Sequence, residues 1–362
     1  MERPGALALD YVSLGDWPPE RRRGVLGAAL FDRPSAGALG QEDPGFAVAE
    51  VPTPVLGGAG DVLELWSIGE EVRSGTRGAV RYTLSRNLLF GSVALAEAAP
   101  GDRSDEGSRL HAATLRAYRE IFATLGALGH PHLVRIWNFI PEINRETHGL
   151  ERYRQFNSAR QEALLACGRW ETGTLPAASA LGAARGSPLV IYFIASRHAP
   201  VAIENPRQVS AYHYPEEYGP RSPAFSRAAA LGPKEAATLF VSGTSSIVGH
   251  RTVHAGDVAA QTRESLTNIE AVLDAAGSGA LAGKPRLESL TYKVYVRDPR
   301  DLPVIRAVLT ATLGEEARVL YLGADICRID LAVEIEAVSG PGTGPGPRGG
   351  LGPGPGPARG GS

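Results

Sequence analysis

The stretch LFVSG at residues 239–243 is matched by LLFGS at residues 88–92, about 150 positions earlier in the chain. Each stretch is followed by the pattern of an amphipathic helix and then by an aromatic strand. An offset of this length is too long for a solenoid, whose repeats span about 20 to 50 residues. We therefore predict an α+β fold with two related domains that pack together.

The second half of the chain alternates helix and strand patterns. Asp257 can cap a helix whose apolar side chains recur every three or four residues from Val258 to Ala276, and Gly277 ends it. A second helix pattern covers residues 301–313, and strand patterns cover residues 287–296, 318–322 and 331–337. The predicted order is strand, helix, strand, helix, strand, strand.

The first half repeats this order, with an insertion. A helix is predicted over residues 108–128, an aromatic strand over 133–140, and another helix after it. The apolar run LVIYFIA, within residues 186–195, predicts a buried strand that begins the insertion, and a long loop rich in Tyr, Pro and Arg follows to about residue 228. We predict an N-terminal segment (1–57), a first domain (58–228), a second domain (229–338) and a disordered Gly/Pro tail (339–362).

Composition narrows the function classes. The chain has 362 residues, of which 43% are hydrophobic and 21% charged, as in ordinary globular proteins. With 37 basic and 39 acidic side chains, it has no long basic stripe for nucleic acid. Two cysteines build no disulfide framework, and no export signal or membrane-length apolar run is present, so we expect a cytoplasmic protein that does not span a membrane.

Common catalytic signatures are missing. The chain has no phosphate-binding loop, no GxGxxG, no HExxH and no paired CxxC, so we expect neither a nucleotide or dinucleotide cofactor nor a catalytic metal. The sequence GTSSI at residues 243–247 begins like a nucleophile elbow but lacks its final glycine, which disfavours a serine hydrolase. His250 and His254 lack a third ligand nearby and are interpreted as surface or capping residues.

The last strand, LAVEIEAV at residues 331–338, has acids where a buried strand is expected. Alternation places Leu331, Val333 and Ile335 on one face and Glu334 and Glu336 on the other. Two interpretations stay open: a glutamate that faces water or meets an arginine, or a buried carboxyl that carries a proton at neutral pH. Cys327, just before this strand, is by itself most typical of a small buried side chain.

Two segments combine arginine with tyrosine. They are ERYRQFNSAR at residues 151–160 and AYHYPEEYGPRSP at residues 211–223. On a helix, Tyr153, Phe156, Asn157 and Arg160 share one side, although an amphipathic helix with exposed arginines fits the pattern as well. Because the arginine fork binds carboxylate with two parallel hydrogen bonds, these segments predict a small anionic substrate.

Four long segments resemble signature stretches of the chorismatase family. They are IWNFIPEINRETHGLERYRQFNSAR (136–160), AYHYPEEYGPRSPAFSRA (211–228), LFVSGTSSIVGH (239–250) and ADICRIDLAVEIEA (324–337). The second half also resembles the small trimeric YjgF/RidA proteins. These resemblances imply two YjgF/RidA-like (chorismate-mutase-like) domains with mixed sheets, packed in one monomer like part of that trimer, with the active site in a cleft between the domains.

The family resemblance also implies an activity and its residues. The substrate is chorismate, whose enolpyruvyl ether is cleaved to release pyruvate in bacterial secondary metabolism. Glu334 aligns with the family's catalytic glutamate, the general acid that protonates the terminal methylene carbon. The expected substrate-binding residues are Tyr153, Arg160, Tyr214, Arg221, Arg227, Gly243 and Ser245.

Branches of the family differ in their product. A cysteine at the position of Cys327 resembles the hydroxybenzoate-forming branches, which favours 3-hydroxybenzoate as the product and makes Cys327 a catalytic candidate. Ser245 matches neither the Ala expected in the hydrolytic branch nor the Gly expected in the 3-hydroxybenzoate branch. Hydrolysis to 3,4-dihydroxycyclohexa-1,5-diene carboxylate and mixed formation of 3- and 4-hydroxybenzoate stay open, as do a non-catalytic YjgF-like ligand-binding protein and an enamine deaminase.

Overall fold

A computed structural model describes residues 7–14, 24–32, 44–58, 60–97 and 108–340. Its first sheet has four strands, in the order β1-β4-β2-β3, and only β2 and β3 pair in parallel. The strands are β1 (Ala8–Ser13), β2 (Val25–Phe31), β3 (Val48–Val51) and β4 (Val62–Ser67). The predicted boundary at residue 57 therefore falls between strands of one sheet, and most of the predicted tail lies outside the described residues.

The second sheet has six strands, in the order β11-β8-β12-β7-β6-β5. Ser108 caps the first helix through its side chain, and Gly129 ends it in the left-handed conformation, as residues with these roles commonly do. The elements are β5 (Arg73–Arg77), β6 (Val80–Leu84), β7 (Leu88–Leu95), α1 (Arg109–Leu128), β8 (His132–Pro141), a hairpin of β9 (Glu146–Thr147) and β10 (Leu150–Glu151), α2 (Arg152–Ala166), β11 (Ala177–Ala183) and β12 (Leu189–Ser196).

The third sheet also has six strands, in the order β13-β14-β15-β20-β18-β19. As predicted, the Asp257 side chain caps a helix, by accepting from the Ala260 amide. The elements are β13 (Val201–Ile203), β14 (Ala228–Leu231), β15 (Thr238–Thr244), a hairpin of β16 (Ile247–Val248) and β17 (Arg251–Thr252), α3 (Val258–Gly277), β18 (Thr291–Val296), α4 (Leu302–Leu313), β19 (Arg318–Gly323) and β20 (Val333–Ser339).

The two larger sheets have the same topology, which confirms the predicted duplication. From the β5 or β13 edge, the orders β5-β6-β7-β12-β8-β11 and β13-β14-β15-β20-β18-β19 correspond strand by strand, and the helices occupy the same two connections. One interpretation was wrong: residues 186–195 do not begin an insertion. They contain most of β12, which pairs with β7 and β8 and corresponds to β20.

All three sheets contribute to one hydrophobic core. Its aromatic members include Phe31 and Trp66 from the first sheet, Trp137 and Tyr192 from the second, and Tyr295 from the third. Helices α1 and α2 cover the second sheet, and α3 and α4 cover the third. The observed architecture is the predicted α+β fold with mixed sheets, and the four-stranded sheet takes a third position around the common core.

Candidate active site

A cavity of about 320 Å³ lies between elements of the second and third sheets. It continues inward into a chamber of about 30 Å³, and the two share Tyr153, Phe225, Gly243, Cys327 and Glu334 in their walls. The outer cavity is also lined by Glu151, Arg154, Gln208, Tyr214, Tyr218, Pro223, Arg227, Ser245, Ile247, Arg328, Ile329 and Asp330. Arg160, Ala178, Ser179 and Ala180 complete the chamber.

A β-bulge shapes the floor of the cavity. Along β15 and β20, Val241 pairs with Ala337 and Thr244 with Ile335, so two residues of β15 lie opposite one residue of β20. Such a bulge bends the strand and redirects its side chains, and bulges are common beside active sites. Here it brings the backbone of Gly243 against the side chain of Glu334.

Glu334 is a buried carboxylic acid that opens onto the cavity. The residue is 4% exposed, and among the described residues no hydrogen bond reaches its carboxyl group. Burial, assisted by the negative charge of Glu336 and opposed by Arg135, raises the pKa of Glu334 to about 8. Glu334 therefore carries a proton at neutral pH.

Glu336, on the same face of β20, has the opposite environment. Its carboxylate accepts hydrogen bonds from Arg135 Nη2 at 2.6 Å, Ser179 Oγ at 2.7 Å and Trp137 Nε1 at 2.7 Å. Lys293 Nζ lies 2.9 Å from Glu336 Oε1. Burial alone would raise the pKa of Glu336, but Lys293 and Arg135 outweigh it and hold this pKa below its usual value. Neighbouring carboxyls with opposed environments are typical of sites that run acid and base chemistry.

Arg160 places an unneutralised cation at the inner chamber. The residue is 2% exposed, lies over the Phe156 ring at 5.1 Å and donates to Asn157 Oδ1 at 3.0 Å. Its Nε atom has no hydrogen-bond partner, and none of the described carboxylates forms an ion pair with it. A buried guanidinium without a counter-ion is costly unless a ligand supplies the anion, so this chamber is suited to a carboxylate.

A second cationic wall surrounds Tyr214 in the outer cavity. Arg227 Nη2 donates to the Tyr214 hydroxyl at 2.9 Å, and the Arg227 Nε atom is buried without a partner. The Arg328 guanidinium lies 4.2 Å from the ring of Tyr218 and 5.3 Å from that of Tyr214. Sequence reasoning did not single out Arg328, although it lies directly after Cys327 in a segment that was recognised.

Tyr153, Arg160, Tyr214, Arg227, Gly243, Ser245, Cys327 and Glu334 all lie in the walls of the cavity or chamber. Arg221 does not: it is exposed and lines neither space, so its predicted role in substrate binding stays a prediction. The chain turns at Gly219, where φ is 132°, and then buries Pro223 and Ala224, which leaves Arg221 on the solvent side of the loop. The wall residues that the sequence analysis did not predict include Arg154, Ser179, Gln208, Tyr218, Phe225 and Arg328.

The two positions that bear on product choice are both in the wall. Cys327 faces the cavity and the chamber, and burial, followed by the charge of Glu334, raises the pKa of its thiol to about 12. Cys327 is therefore an uncharged thiol at neutral pH. The Ser245 hydroxyl donates to the Val333 carbonyl at 3.0 Å, so its hydrogen is already committed.

His250 and His254 contact different residues. His250 Nδ1 lies 3.1 Å from the Tyr218 hydroxyl, and His254 Nε2 lies 3.3 Å from Glu264 Oε2. Within the described ranges, no three His, Cys, Asp or Glu side chains are grouped as a metal site.

None of the helices that the structure describes has the length and apolarity to cross a membrane.

Comparisons with known proteins agree with the fold. Residues 64–195 match the family model described as Chorismatase FkbO/Hyg5-like, N-terminal, and residues 223–340 match Endoribonuclease L-PSP, which confirms the expected YjgF-like second half. A crystal structure of a chorismatase is 33% identical, with a TM-score of 0.80, over 93% of this chain and 99% of that one.

Two curated relatives extend the similarity to most of the chain. A chorismatase from Streptomyces rapamycinicus is 39% identical over 93% of this chain and 96% of its own length. A 3-hydroxybenzoate synthase from Streptomyces hygroscopicus is 40% identical over 76% of this chain and 80% of its own length. Because one relative is 39% identical over 93% of this chain, the chain belongs to the chorismatase family of enzymes.

Proposed function

We propose that this enzyme cleaves the enolpyruvyl ether of chorismate, with Glu334 as the general acid, and forms 3-hydroxybenzoate and pyruvate. One observation carries the proposal: a proton-bearing carboxyl without a hydrogen-bond partner opens onto a cavity and chamber whose walls also hold Arg160, Arg227 and Arg328. The names of the relatives, chorismatase and 3-hydroxybenzoate synthase, support the same reaction.

Proton transfer to carbon is the demanding step of this reaction. Glu334 donates its proton to the terminal methylene carbon, and the vinyl electrons that form the new C–H bond leave an oxocarbenium ion at the ether carbon. The ring hydroxyl oxygen then attacks the ether carbon, and its proton passes to the Glu334 carboxylate, which regenerates the acid and closes a cyclic ketal. The ring carbon that bears the ether oxygen next loses its proton while the bond from the neighbouring ring carbon to the former hydroxyl oxygen breaks, so the ring becomes aromatic and the released oxygen takes up that proton. The resulting hemiketal breaks into 3-hydroxybenzoate and pyruvate, whose atoms together equal those of chorismate, so no water is consumed.

The walls of the cavity suit both ends of the substrate. Chorismate has two carboxylates, and the site has two separate cationic regions, Arg160 in the chamber and Arg227 with Arg328 in the outer cavity. Each guanidinium can bind a carboxylate with paired hydrogen bonds. Fixing both carboxylates would hold the methylene carbon in reach of Glu334, which is how positioning lowers a barrier.

Which product forms depends on whether water reaches the oxocarbenium ion before the ring hydroxyl does. The Cys327 thiol is uncharged and lies beside Glu334 in both spaces, where it narrows the room for a water molecule. The Ser245 hydroxyl donates its hydrogen bond to the Val333 carbonyl, so it can only accept a hydrogen bond from the substrate. Both features favour capture by the ring hydroxyl over hydrolysis.

One incubation tests the proposal. Purified enzyme and chorismate, in D₂O buffer with EDTA, should give equal amounts of 3-hydroxybenzoate and pyruvate, with one deuterium in the pyruvate methyl group. The dihydroxycyclohexadiene carboxylate in place of 3-hydroxybenzoate would assign hydrolysis instead, and 4-hydroxybenzoate beside it would assign the mixed branch. Binding without pyruvate release would indicate a non-catalytic ligand-binding protein, and ammonia release from imines an enamine deaminase.

A further inference from the structure

Four charged side chains are buried where the three sheets meet. Glu64 comes from β4, Arg135 from β8, Lys293 from β18 and Glu336 from β20, and each is at most 4% exposed. They form a continuous series: Arg135 pairs with Glu336, Lys293 pairs with both Glu336 and Glu64, and Trp66 Nε1 donates to Glu64. Two cations and two anions cancel, so this charge quartet is neutral as a unit.

The quartet contacts the active site through Ser179. The Ser179 hydroxyl donates to Glu336 Oε2 at 2.7 Å and accepts from Arg135 Nη2 at 2.6 Å and from the Gly243 amide at 3.0 Å. The backbone of Gly243 lies directly against Glu334. Glu336 and Glu334 thus share one face of β20, and the hydrogen bonds that run from Glu336 through Ser179 end at the Gly243 backbone, which packs against Glu334.

Among the described residues, Glu336 is the acid whose charge raises the pKa of Glu334, while Glu151 and Asp330 lie in the wall of the outer cavity. Helix α2 contributes Tyr153 and Arg160, β8 contributes Arg135, β18 contributes Tyr295, and the segment before β20 contributes Cys327. Burial raises the pKa of Tyr153, Tyr295 and Cys327, so these three stay uncharged at neutral pH. Arg135 is already paired with Glu336. The residues that β11 and β15 contribute to the chamber wall are uncharged: Ala178, Ser179, Ala180 and Gly243.

We propose that Glu336 is a positioning residue for this reaction, held permanently ionised by Arg135 and Lys293, and that its charge keeps Glu334 in the proton-carrying form between turnovers. The inference rests on the proposed function of Glu334. After Glu334 gives its proton to carbon, two carboxylates lie on the same face of β20, and the repulsion between them drives Glu334 to take a proton back. Since all three sheets supply the quartet, assembly of the core sets the state of the catalytic acid.

The substitution Glu336→Gln tests this directly. It removes the fixed anion and leaves the two cations, so ionised Glu334 becomes easier to form. The pH at which kcat/KM is half lost, near the Glu334 pKa of about 8 in the parent enzyme, should fall by about one to two units. At pH 8, kcat/KM should drop about tenfold, while at pH 5.5 it should stay close to the parent value.

Glu64→Gln is the matched control. It removes an equally buried carboxylate on the far side of Lys293, and Glu336 keeps Arg135. We expect a comparable loss of thermal stability with the midpoint of the pH profile unmoved. A uniform loss of activity at every pH in Glu336→Gln, with an unchanged midpoint, would show a merely structural role and overturn the inference.

A second measurement uses the unaltered protein, in case Glu336→Gln does not fold. Carboxyl-labelled ¹³C-glutamate NMR should show one buried carboxyl that titrates at high pH, absent in Glu334→Gln, and another that stays ionised from pH 5 to pH 9. Protonation of Glu336 within that range would overturn the inference. Failure of the proposed function is distinguishable, because it would appear as missing pyruvate release in the parent or full activity in Glu334→Gln.

Discussion

The Glu334 carboxyl group occupies the space that a side chain at position 243 would need. An ideal Cβ atom built on Gly243 would lie 1.9 Å from Glu334 Oε1 and 3.0 Å from Ser179 Oγ, so any other residue at this position would collide with the catalytic carboxyl. The bulge in β15 produces this approach. The glycine is therefore required by close contact and not by an unusual backbone conformation.

Substituting Gly243 should displace the acid without unfolding the protein. In Gly243→Ala the new methyl group meets the end of a side chain that can rotate away, and a displacement of about 1 Å can cost about 100-fold in rate. Pyruvate release should fall by about that factor with a nearly unchanged melting temperature. Gly126→Ala, in α1 with open space around the new methyl group, is the control and should keep full activity. Normal activity in Gly243→Ala would refute the packing argument.

Replacing Arg160 should weaken substrate binding without lowering the stability of the protein. It is a buried cation with no carboxylate partner among the described residues, so Arg160→Met removes a desolvation cost and should leave the melting temperature equal or higher. The same change should lower kcat/KM for chorismate by at least about 30-fold, because the substrate carboxylate loses its partner. Arg116→Met, at an exposed surface pair with Glu120, should change neither quantity. A marked loss of stability in Arg160→Met would mean that the guanidinium serves the fold.

The stability of the protein should depend on pH, because Glu334 keeps a proton in the folded state that it loses in the unfolded chain. Its pKa is about 8 in the folded protein, against an ordinary value of 4.5, so between these pH values the folded state binds a proton that the unfolded chain has lost. This contribution to stability is present at low pH and is lost as the pH rises toward 8. Glu334→Gln cannot ionise, so its melting temperature should exceed that of the parent more at pH 8 than at pH 5. Thermal melts across this range check the difference, and a constant offset would contradict the raised pKa.

Cys327 should control access of water to the oxocarbenium ion. In Cys327→Ala the pocket gains the volume of the thiol beside Glu334, so pyruvate release should continue while the dihydroxycyclohexadiene carboxylate replaces part of the 3-hydroxybenzoate. Chromatography of both products measures the ratio. Cys167→Ala changes an exposed thiol and should leave the ratio as it is. The same ratio in Cys327→Ala as in the parent would exclude this role for the thiol.

Much of the fold follows from local patterns, but the pairing of β12 does not. The period of apolar residues predicts α3 and α4, and alternation in β20 predicts that Glu334 and Glu336 share a face. The run that forms β12 is buried on both sides, and such a run carries no signal of its partners. It was therefore interpreted as the start of an insertion, although it lies at the centre of its sheet.

The site, like the fold, could be predicted only in part, because local sequence patterns do not reveal long-range contacts. Residue chemistry and family resemblance indicated Glu334 and Arg160, but the contacts that ionise Glu336 come from distant parts of the chain: Arg135 lies 201 positions away in sequence. Arg221 and Arg227 were both expected to bind substrate, with Arg227 the weaker candidate, and the path of the loop after Gly219 leaves Arg221 exposed and Arg227 buried. Long-range pairing and loop geometry are what local patterns cannot supply.

Pyruvate release by Glu334→Gln at pH 7 tests the central claim most directly. Glutamine has nearly the same shape as the neutral acid but cannot donate a proton to carbon, so the variant should fold, bind chorismate and lose at least about 1,000-fold in kcat, within the range attributed to general acid catalysis. Binding can be followed by calorimetry in the same samples. Pyruvate release near the parent rate would contradict the role of Glu334 and, with it, this account of the enzyme.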